Sequence, residues 1–252
     1  MINQKQAERL NAKVSRLKKV YEKYLVQTRT ELSVSIGKRT GRKISCGEVW
    51  GKDFCCTDFY ATLPALPESA YLEVDSGGTE SLIEIDGVPV GMVDWVRNAR
   101  DPNDRPHRYF SLCGMKAGAS LRVQSYASHP IAGTQPYDEQ STFSLRTLET
   151  ERVFRGIYVI TLRKDVKAFI ENLTFFESLI AASPEGDWLR SEAYGVYEEL
   201  FRVVSLTEEA PDDLGAANAI FEKFFSALPA GREKPYLGLI GHSHLDTAWL
   251  WT

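Results

Sequence analysis

The sequence predicts a mixed α+β chain, because three successive regions follow three different hydrophobic patterns. Apolar residues recur at helical spacing near the N-terminus, short β-branched and aromatic runs fill the middle, and helical spacing returns after residue 150. We expect an N-terminal helix and linker over residues 1–45 and an antiparallel, jelly-roll-like β-sandwich over 46–150. A helical segment over 151–231 and the start of a further α/β domain over 232–252 would complete the chain.

The first helix is predicted from residue 4 to about residue 31. Its apolar positions are separated by steps of one, three and four residues, which makes one face of the helix apolar: Leu10, Val14, Leu17, Tyr21, Tyr24 and Leu25. Such a helix could dock on the following domain or pair with another subunit. Docking is favoured because the apolar stripe is short for a coiled coil.

The middle region is predicted to be strands separated by turns. The clearest signal is a hairpin, in which Asp86-Gly87 joins residues 81–85 to residues 88–90, because both turn residues tolerate positive φ. Further strands are expected at residues 58–63, 71–74, 109–112, 119–126 and 142–148. Short strands at this spacing are typical of a β-sandwich.

Three helices are predicted after residue 150. Residues 153–182 form one long helical pattern, and Ser183-Pro184 then offers a stop followed by an N-cap and a first helical residue. A second helix would extend to about Val204, and a third from about Asp212 to Leu228. Together they predict a helical layer.

The last region opens with a short, continuously apolar run at residues 236–241, Tyr-Leu-Gly-Leu-Ile-Gly. Such a run is typical of a strand buried on both faces, as in the parallel sheet of an α/β barrel. The chain extends only to Thr252, so we expect it to hold the first strand of a truncated barrel.

Metal-capable side chains follow this strand at alternate positions: His242, His244 and Asp246. In an extended backbone, alternate residues point to one face, and imidazole nitrogen with carboxylate oxygen is a donor set that zinc uses. The alternative is a histidine pair satisfied by hydrogen bonds at a strand end, with Trp249 and Trp251 as core aromatics. The residues alone leave both interpretations open.

The segment His242-Ser-His-Leu-Asp-Thr-Ala-Trp249 resembles the signature of glycoside hydrolase family 38, the class II α-mannosidases, at each fixed position of the pattern His-x-His-x-Asp-x-x-Trp. The flanking Leu-Ile-Gly and Leu-Trp-Thr are similar to the cytosolic, bacterial and fungal branch. In that branch a β-sandwich and a helical segment precede the catalytic barrel. The likeness of the rest of the chain is architectural.

The resemblance implies a zinc cofactor with His244 and Asp246 as ligands, His242 as a supporting residue and Trp249 in the sugar-binding wall. It also implies a retaining mechanism on α-linked mannosides, from mannan or N-glycan-derived oligosaccharides, with an aspartate nucleophile farther along. No catalytic residue of the family falls within these residues. We therefore expect the chain alone to be inactive and to bind zinc weakly.

Composition restricts the kinds of partner that the chain is expected to bind and the cell compartment in which it is expected to lie. The net charge of −4 makes nucleic acid an unfavourable partner, and the N-terminal region lacks the unbroken apolar stretch of a signal peptide or membrane span. Four cysteines without a CxxC pair are expected to be free thiols, which suits the cytoplasm. The N-terminal helix and the family resemblance suggest a homo-oligomer.

Two other functions remain open. The sandwich could be a non-catalytic module for carbohydrate binding or subunit assembly, and five aromatic residues are candidates for stacking on sugars: Trp50, Tyr60, Trp95, Tyr109 and Tyr126. Aromatics in strands more often pack in the core or on a sheet. A different zinc hydrolase, such as a deacetylase, would use similar His and Asp residues but would not explain Trp249.

Overall fold

The computed structural model describes residues 3–94, 107–127, 151–205 and 214–228. The chain divides into two compact units. One comprises Val26–Leu162, and the other combines Met1–Leu25 with Arg163–Thr252. The first is built of strands and the second of helices, so the chain is mixed α and β, as the sequence predicts.

The strand unit holds antiparallel sheets. Its strands are β1 (Val26–Glu31), β2 (Val34–Ile36), β3 (Lys43–Ile44), β4 (Val49–Gly51), β5 (Cys56–Thr62), β6 (Ala70–Asp75), β7 (Glu80–Ile85), β8 (Val88–Asp94), β9 (Tyr109–Ser111), β10 (Ser120–Tyr126), β11 (Arg152–Val153) and β12 (Gly156–Leu162). One sheet has the order β1-β12-β6-β9 and another the order β3-β2-β5-β10-β7-β8, while β11 pairs with β4. Every pairing among these described strands is antiparallel.

The two larger sheets contribute side chains to one apolar core. Leu72 and Ile157 come from the four-stranded sheet, while Phe59, Ile83 and Leu121 come from the six-stranded sheet, and all five are fully buried. Alternate residues along β10 are buried and partly exposed, which leaves its other face available to solvent. This alternation positions the polar cluster described below.

The predicted hairpin is confirmed. β7 and β8 pair through Ile85 and Val88, and the turn residues Asp86 and Gly87 have φ values of 49° and 83°. Positive φ at both central positions matches the twist of the two strands, which is why Asp-Gly is favoured there.

The helical unit packs four helices: α1 (Gln4–Glu22), α2 (Lys164–Ala182), α3 (Trp188–Val203) and α4 (Gly215–Ala227). One cluster of buried side chains joins all four, including Leu17 of α1, Phe176 of α2, Tyr197 of α3 and Phe221 of α4. The sequence favours docking of α1 on the domain that follows it, but α1 packs instead in one unit with α2, α3 and α4, which come later in the chain. No helix in the described ranges is long and apolar enough to cross a membrane.

Two predicted helices are too long. The first ends at Glu22 instead of about residue 31, because Val26–Glu31 forms β1 and pairs with β12. The stretch 153–182 contains β11 and β12 before α2 begins at Lys164. Residues 156–162, Gly-Ile-Tyr-Val-Ile-Thr-Leu, are apolar at most positions, so their pattern fits a buried strand as well as a helix.

The strand region is also longer than expected and extends past both of its predicted boundaries, residues 46 and 150. Residues 26–44, assigned to the linker, hold β1, β2 and β3, and residues 156–162, assigned to the helical segment, hold β12. The N-cap of α3 is Asp187, whose carboxylate accepts a hydrogen bond from the Leu189 N–H, rather than Ser183. Ser183 follows the last residue of α2, and its hydroxyl donates to the Leu179 carbonyl.

Candidate functional site

The predicted metal-binding residues lie outside the part of the chain that the structure describes. This applies to His242, His244, Asp246 and Trp249, and also to the predicted strands at residues 142–148 and 236–241. Within the described ranges, no group of three or more His, Cys, Asp or Glu side chains is arranged to hold a metal ion. The zinc site therefore stays a prediction from the sequence.

Three of the five candidate sugar-stacking aromatics are not grouped with the other two on one face of the six-stranded sheet in the described structure. The Trp50 indole N–H donates to the Ser76 carbonyl at 2.6 Å, and its ring meets Phe59 edge-on at 5.6 Å between centroids. These contacts indicate a packing role for Trp50. Tyr109 begins the short strand β9 in the four-stranded sheet, and Trp95 lies outside the described residues.

The structure brings charged side chains together on the outer face of the six-stranded sheet. Arg122 of β10 donates to Asp58 of β5 at 3.1 Å and to Glu84 of β7 at 2.9 Å. Gln124 donates to the other oxygen of Asp58 at 3.2 Å. The hydrogen bond to Asp58 is the main reason that the pKa of the Arg122 guanidinium is raised.

Tyr60 and Tyr126 lie on the same face as this Arg122 cluster. Tyr60 is directly opposite Arg122 in the β5–β10 register, and Tyr126 is opposite Cys56, four residues farther along β10. Four residues of extended chain separate the two tyrosines by about 13 Å along the strands. Both residues are partly exposed.

This arrangement is suited to binding rather than to acid–base chemistry. Asp58 and Glu84 both accept charge-assisted hydrogen bonds from one guanidinium, so oxygens of both carboxylates are already engaged as acceptors. The tyrosine rings at either side offer flat apolar faces. Flat rings next to fixed polar groups are a combination that can hold a sugar ring by stacking and by hydrogen bonds to its hydroxyls.

A second polar cluster surrounds Cys46 in the strand unit. The Cys46 thiol lies 3.3 Å from a Glu31 oxygen and 3.5 Å from the Tyr158 hydroxyl, and that hydroxyl donates to the Arg155 carbonyl at 2.7 Å. The Arg29 guanidinium stacks on the Tyr158 ring at 3.7 Å. The hydrogen bond with Cys46, followed by burial, raises the pKa of Tyr158 to about 12.

Sequence reasoning missed the Arg122 cluster. A signal was present, because residues 120–126, Ser-Leu-Arg-Val-Gln-Ser-Tyr, alternate polar and apolar side chains and place an arginine inside a strand. Nothing in the pattern identified Asp58 and Glu84 as its partners. That required the register that pairs β10 with both β5 and β7.

No protein-family model and no curated protein sequence matches the chain. Function is therefore inferred from two features of the chain itself, the sequence motif at residues 242–249 and the Arg122 cluster.

Proposed function

We propose that the chain is the N-terminal part of a cytoplasmic, zinc-dependent, retaining α-mannosidase of glycoside hydrolase family 38, acting on α-linked mannosides. One observation carries the proposal: the segment from His242 to Trp249 agrees with each fixed position of the family signature. Four matched positions within eight residues, directly after an apolar strand pattern, are far more specific than a lone histidine pair.

The donor chemistry agrees with the proposed metal. His244 offers an imidazole nitrogen and Asp246 a carboxylate oxygen, and both are common zinc ligands. Bound zinc would hold sugar hydroxyls and stabilise charge. In this proposal His242 supports the ligands, Trp249 forms part of the wall of the sugar site, and the remaining ligands and the nucleophile come from residues beyond Thr252.

The order of the elements also supports the proposal. After α1, antiparallel sheets with a shared core come next along the chain, the three helices α2 to α4 follow, and the apolar run at residues 236–241 comes last of these. In the proposed enzyme the sheets form a jelly-roll-like sandwich, and the apolar run is the first strand of the catalytic barrel.

The test compares this chain with a longer chain that continues through the downstream reading frame. We expect only the longer chain to bind zinc tightly and to cleave an aryl α-mannoside, because the residues of this chain supply only part of the ligand set. His244→Ala in the longer chain should abolish both properties, whereas the control His107→Ala should retain them. A longer chain that neither binds zinc nor cleaves would refute the proposal.

A carbohydrate-binding role for the strand unit is the second candidate. The observation that favours it is the pair Tyr60 and Tyr126 on one face of the sheet, with Arg122 opposite Tyr60 and Gln124 between Arg122 and Tyr126 along β10. Stacking on such rings contributes about 1 kcal/mol beyond the burial of apolar area. In a subunit-assembly role, the same outer face of the six-stranded sheet would contact another subunit instead of a sugar.

Titration of mannan and mannose oligosaccharides into this chain tests the second candidate. If the face binds sugar, Tyr60→Ala and Tyr126→Ala should each weaken binding by about tenfold, which corresponds to about 1.4 kcal/mol. Tyr109→Ala, on the four-stranded sheet, is the matched control and should bind as the parent chain does. Equal losses in all three variants, or no binding by the parent chain, would exclude this role.

A further inference from the structure

The turn between β2 and β3 concentrates positive charge at one edge of the six-stranded sheet. Residues 32–47 contain four cations and no acidic residue, and all four cations are exposed: Lys38, Arg39, Arg42 and Lys43. Arg42 is paired with Glu48 at 2.5 Å. In the described part of the chain, no carboxylate forms an ion pair with Lys38, Arg39 or Lys43. Three charges of this turn are therefore available to an anion.

The backbone of this turn is held by hydrogen bonds at both ends. The Gly41 N–H donates to the Lys38 carbonyl and the Gly37 N–H donates to the Asp58 carbonyl, each at 2.8 Å. A Cβ at Gly41 would collide with the Ile36 carbonyl, so the chain passes here too closely for any other residue. The backbone that carries the cations is thus fixed before a ligand binds, which lowers the cost of ordering it on binding.

Strand register places Lys43 on the face that carries the Arg122 cluster. Lys43 is opposite Ser35, and Ser35 is opposite Tyr60. Tyr60 is in turn opposite Arg122. Residues directly opposite each other on neighbouring strands point to the same face of a sheet. Lys43 therefore lies on the outer face, two strands or about 10 Å from Tyr60.

Arg39 reaches the same face through its side chain. Its guanidinium donates to the Ser120 hydroxyl, and Ser120 lies two residues before Arg122 in β10. Alternate residues of a strand point to one face, so this contact is on the outer face as well. Asp86, at the same strand end, accepts a hydrogen bond from the Ser120 backbone N–H at 2.7 Å. The side-chain partner of Arg39 is thus a neutral hydroxyl, which does not compensate its charge.

A cavity adjoins Lys43 at this edge of the sheet. Its volume is about 340 Å³, and the residues that line it include Lys43, Ser33 and Ser45. Ammonium and hydroxyl groups are hydrogen-bond donors for the oxygens of a phosphate or carboxylate. Glu31 also lines the cavity, and its carboxylate lies 3.3 Å from the Cys46 thiol. The cavity is large enough for a small polar group of a ligand.

The opposite corner of the outer face carries negative charge. Tyr126 is opposite Glu80, and Glu80 is opposite Asp94 on β8. These two carboxylates lie on the same face as the Tyr126 ring. An anionic group is therefore favoured beside Tyr60 and disfavoured beside Tyr126, so the charges of the face select both the kind of ligand and its direction.

We propose that Arg39 and Lys43 form an anion subsite beside Tyr60, and that the ligand of the outer face is a saccharide that bears a phosphate or a carboxylate. The sugar ring stacks on Tyr60, and its anionic group accepts charge-assisted hydrogen bonds from Arg39 and Lys43. This inference rests on the carbohydrate-binding role proposed above for the strand unit, and it is independent of the zinc site.

Isothermal titration calorimetry on the chain tests the proposal with four ligands. These are a neutral mannose oligosaccharide, the same oligosaccharide capped with mannose 6-phosphate, a mannuronate oligosaccharide and inorganic phosphate. At least one anionic oligosaccharide should bind at least about tenfold more tightly than the neutral one, which corresponds to about 1.4 kcal/mol. The preference should shrink as salt rises, because the subsite is exposed to screening. The tighter of the two anionic ligands identifies phosphate or carboxylate as the group recognised.

Matched variants locate the preference on the sheet. Arg39→Gln, Lys43→Gln should lower the affinity for the anionic oligosaccharides to that for the neutral one. Arg9→Gln, Lys164→Gln removes the same two charges from exposed positions of the helical unit and should keep the preference. Tyr60→Ala should weaken the binding of every oligosaccharide, because each loses the ring on which it stacks. Circular dichroism establishes that each variant is folded.

The outcomes separate the anion subsite from the sugar-binding role. Equal affinity of the parent chain for neutral and anionic oligosaccharides would overturn the subsite and leave sugar binding in place. Binding of no oligosaccharide would overturn both. A preference that is lost equally in the helical-unit control would mean that overall charge produces it. Inorganic phosphate that binds as tightly as the anionic oligosaccharides would mean that the turn holds a free anion, and either result would also overturn the proposal.

Discussion

At the scale of single residues, Gly77 illustrates a position where only glycine fits. Its φ is 80°, and a Cβ placed there would collide with the Val153 carbonyl. We expect Gly77→Ala to lower the free energy of unfolding by more than about 2 kcal/mol, because left-handed strain adds to the clash. Gly87→Ala is the control, since Gly87 has a φ of 83° but open space around it. Urea unfolding of both variants gives the comparison, and equal losses would contradict it.

For Tyr197 we expect substitution to have the opposite effect on stability, because burial of its hydroxyl lowers the free energy of unfolding. The side chain is fully buried, and its hydroxyl has no hydrogen-bond partner among the described residues. Burial raises its pKa. Tyr197→Phe should leave the free energy of unfolding unchanged or raise it by up to about 1 kcal/mol. Tyr194→Phe is the control: it removes a hydroxyl that accepts a 3.3 Å hydrogen bond from Asn11, so it should not stabilise. A clear loss of stability in Tyr197→Phe would contradict the prediction.

Tyr158 gives the strand unit a specific response to alkaline pH. Its pKa is raised from 10.0 to about 12, so the native state keeps a proton that the unfolded state releases over this interval. Stability should therefore decrease as pH rises from about 10 to about 12. Urea unfolding across that range should show a shallower decrease in Tyr158→Phe than in the parent chain. Tyr126→Phe controls for the loss of a partly exposed tyrosine. Identical pH profiles for the parent chain and the two variants would contradict the prediction.

At the scale of elements, the ion pair between α1 and α2 should be energetically asymmetric. The Lys18 side chain is 4% exposed, whereas that of Glu177 is 29% exposed. Glu177→Gln leaves a buried ammonium without its anion and should cost about 2–4 kcal/mol, whereas Lys18→Met leaves a carboxylate that water reaches and should cost about 1 kcal/mol. Glu171→Gln, in the exposed pair with Lys167, should cost less than about 0.5 kcal/mol. Thermal unfolding ranks the three, and equal costs would contradict the expected asymmetry.

An element could be predicted where its apolar residues follow either the strand period or the helix period. It could not be predicted where its apolar residues fit both periods. β10 alternates polar and apolar residues, and the prediction at 119–126 agrees with Ser120–Tyr126. β12 is buried on most of its length, so its run of apolar residues has no period to distinguish a strand from a helix. β1 was missed because a helical pattern continues into Tyr24 and Leu25.

One of the two candidate sites could be predicted from the sequence, and the other could not. The motif from His242 to Trp249 is contiguous, so it can be found without a structure. The Arg122 cluster joins residues separated by 64 and 38 positions, and their proximity depends on strand register. Local pattern identifies which strands exist but not which strands become neighbours, because pairing is set by tertiary packing.

At the scale of the whole molecule, the helical unit is assembled from both ends of the chain. Five side chains of α1 lie in its core: Leu10, Val14, Leu17, Val20 and Tyr21. Burial of such side chains contributes about 1.5–3 kcal/mol each, so together they match the roughly 5–15 kcal/mol by which a whole domain is stable. The strand unit needs no such closure, since its first and last residues, Val26 and Leu162, pair with each other.

Loss of α1 packing should therefore unfold the helical unit and spare the strand unit. We expect Leu17→Asp, which places a charge at a fully buried position, to abolish amide protection in α2, α3 and α4 while β5 and β10 keep theirs. Arg16→Asp changes the adjacent exposed residue and should preserve protection in both units. Hydrogen exchange followed by mass spectrometry resolves these segments. Retained protection in α2 to α4 of Leu17→Asp would mean that the three helices fold without α1, whereas simultaneous loss in the strands would mean that the two units unfold as one.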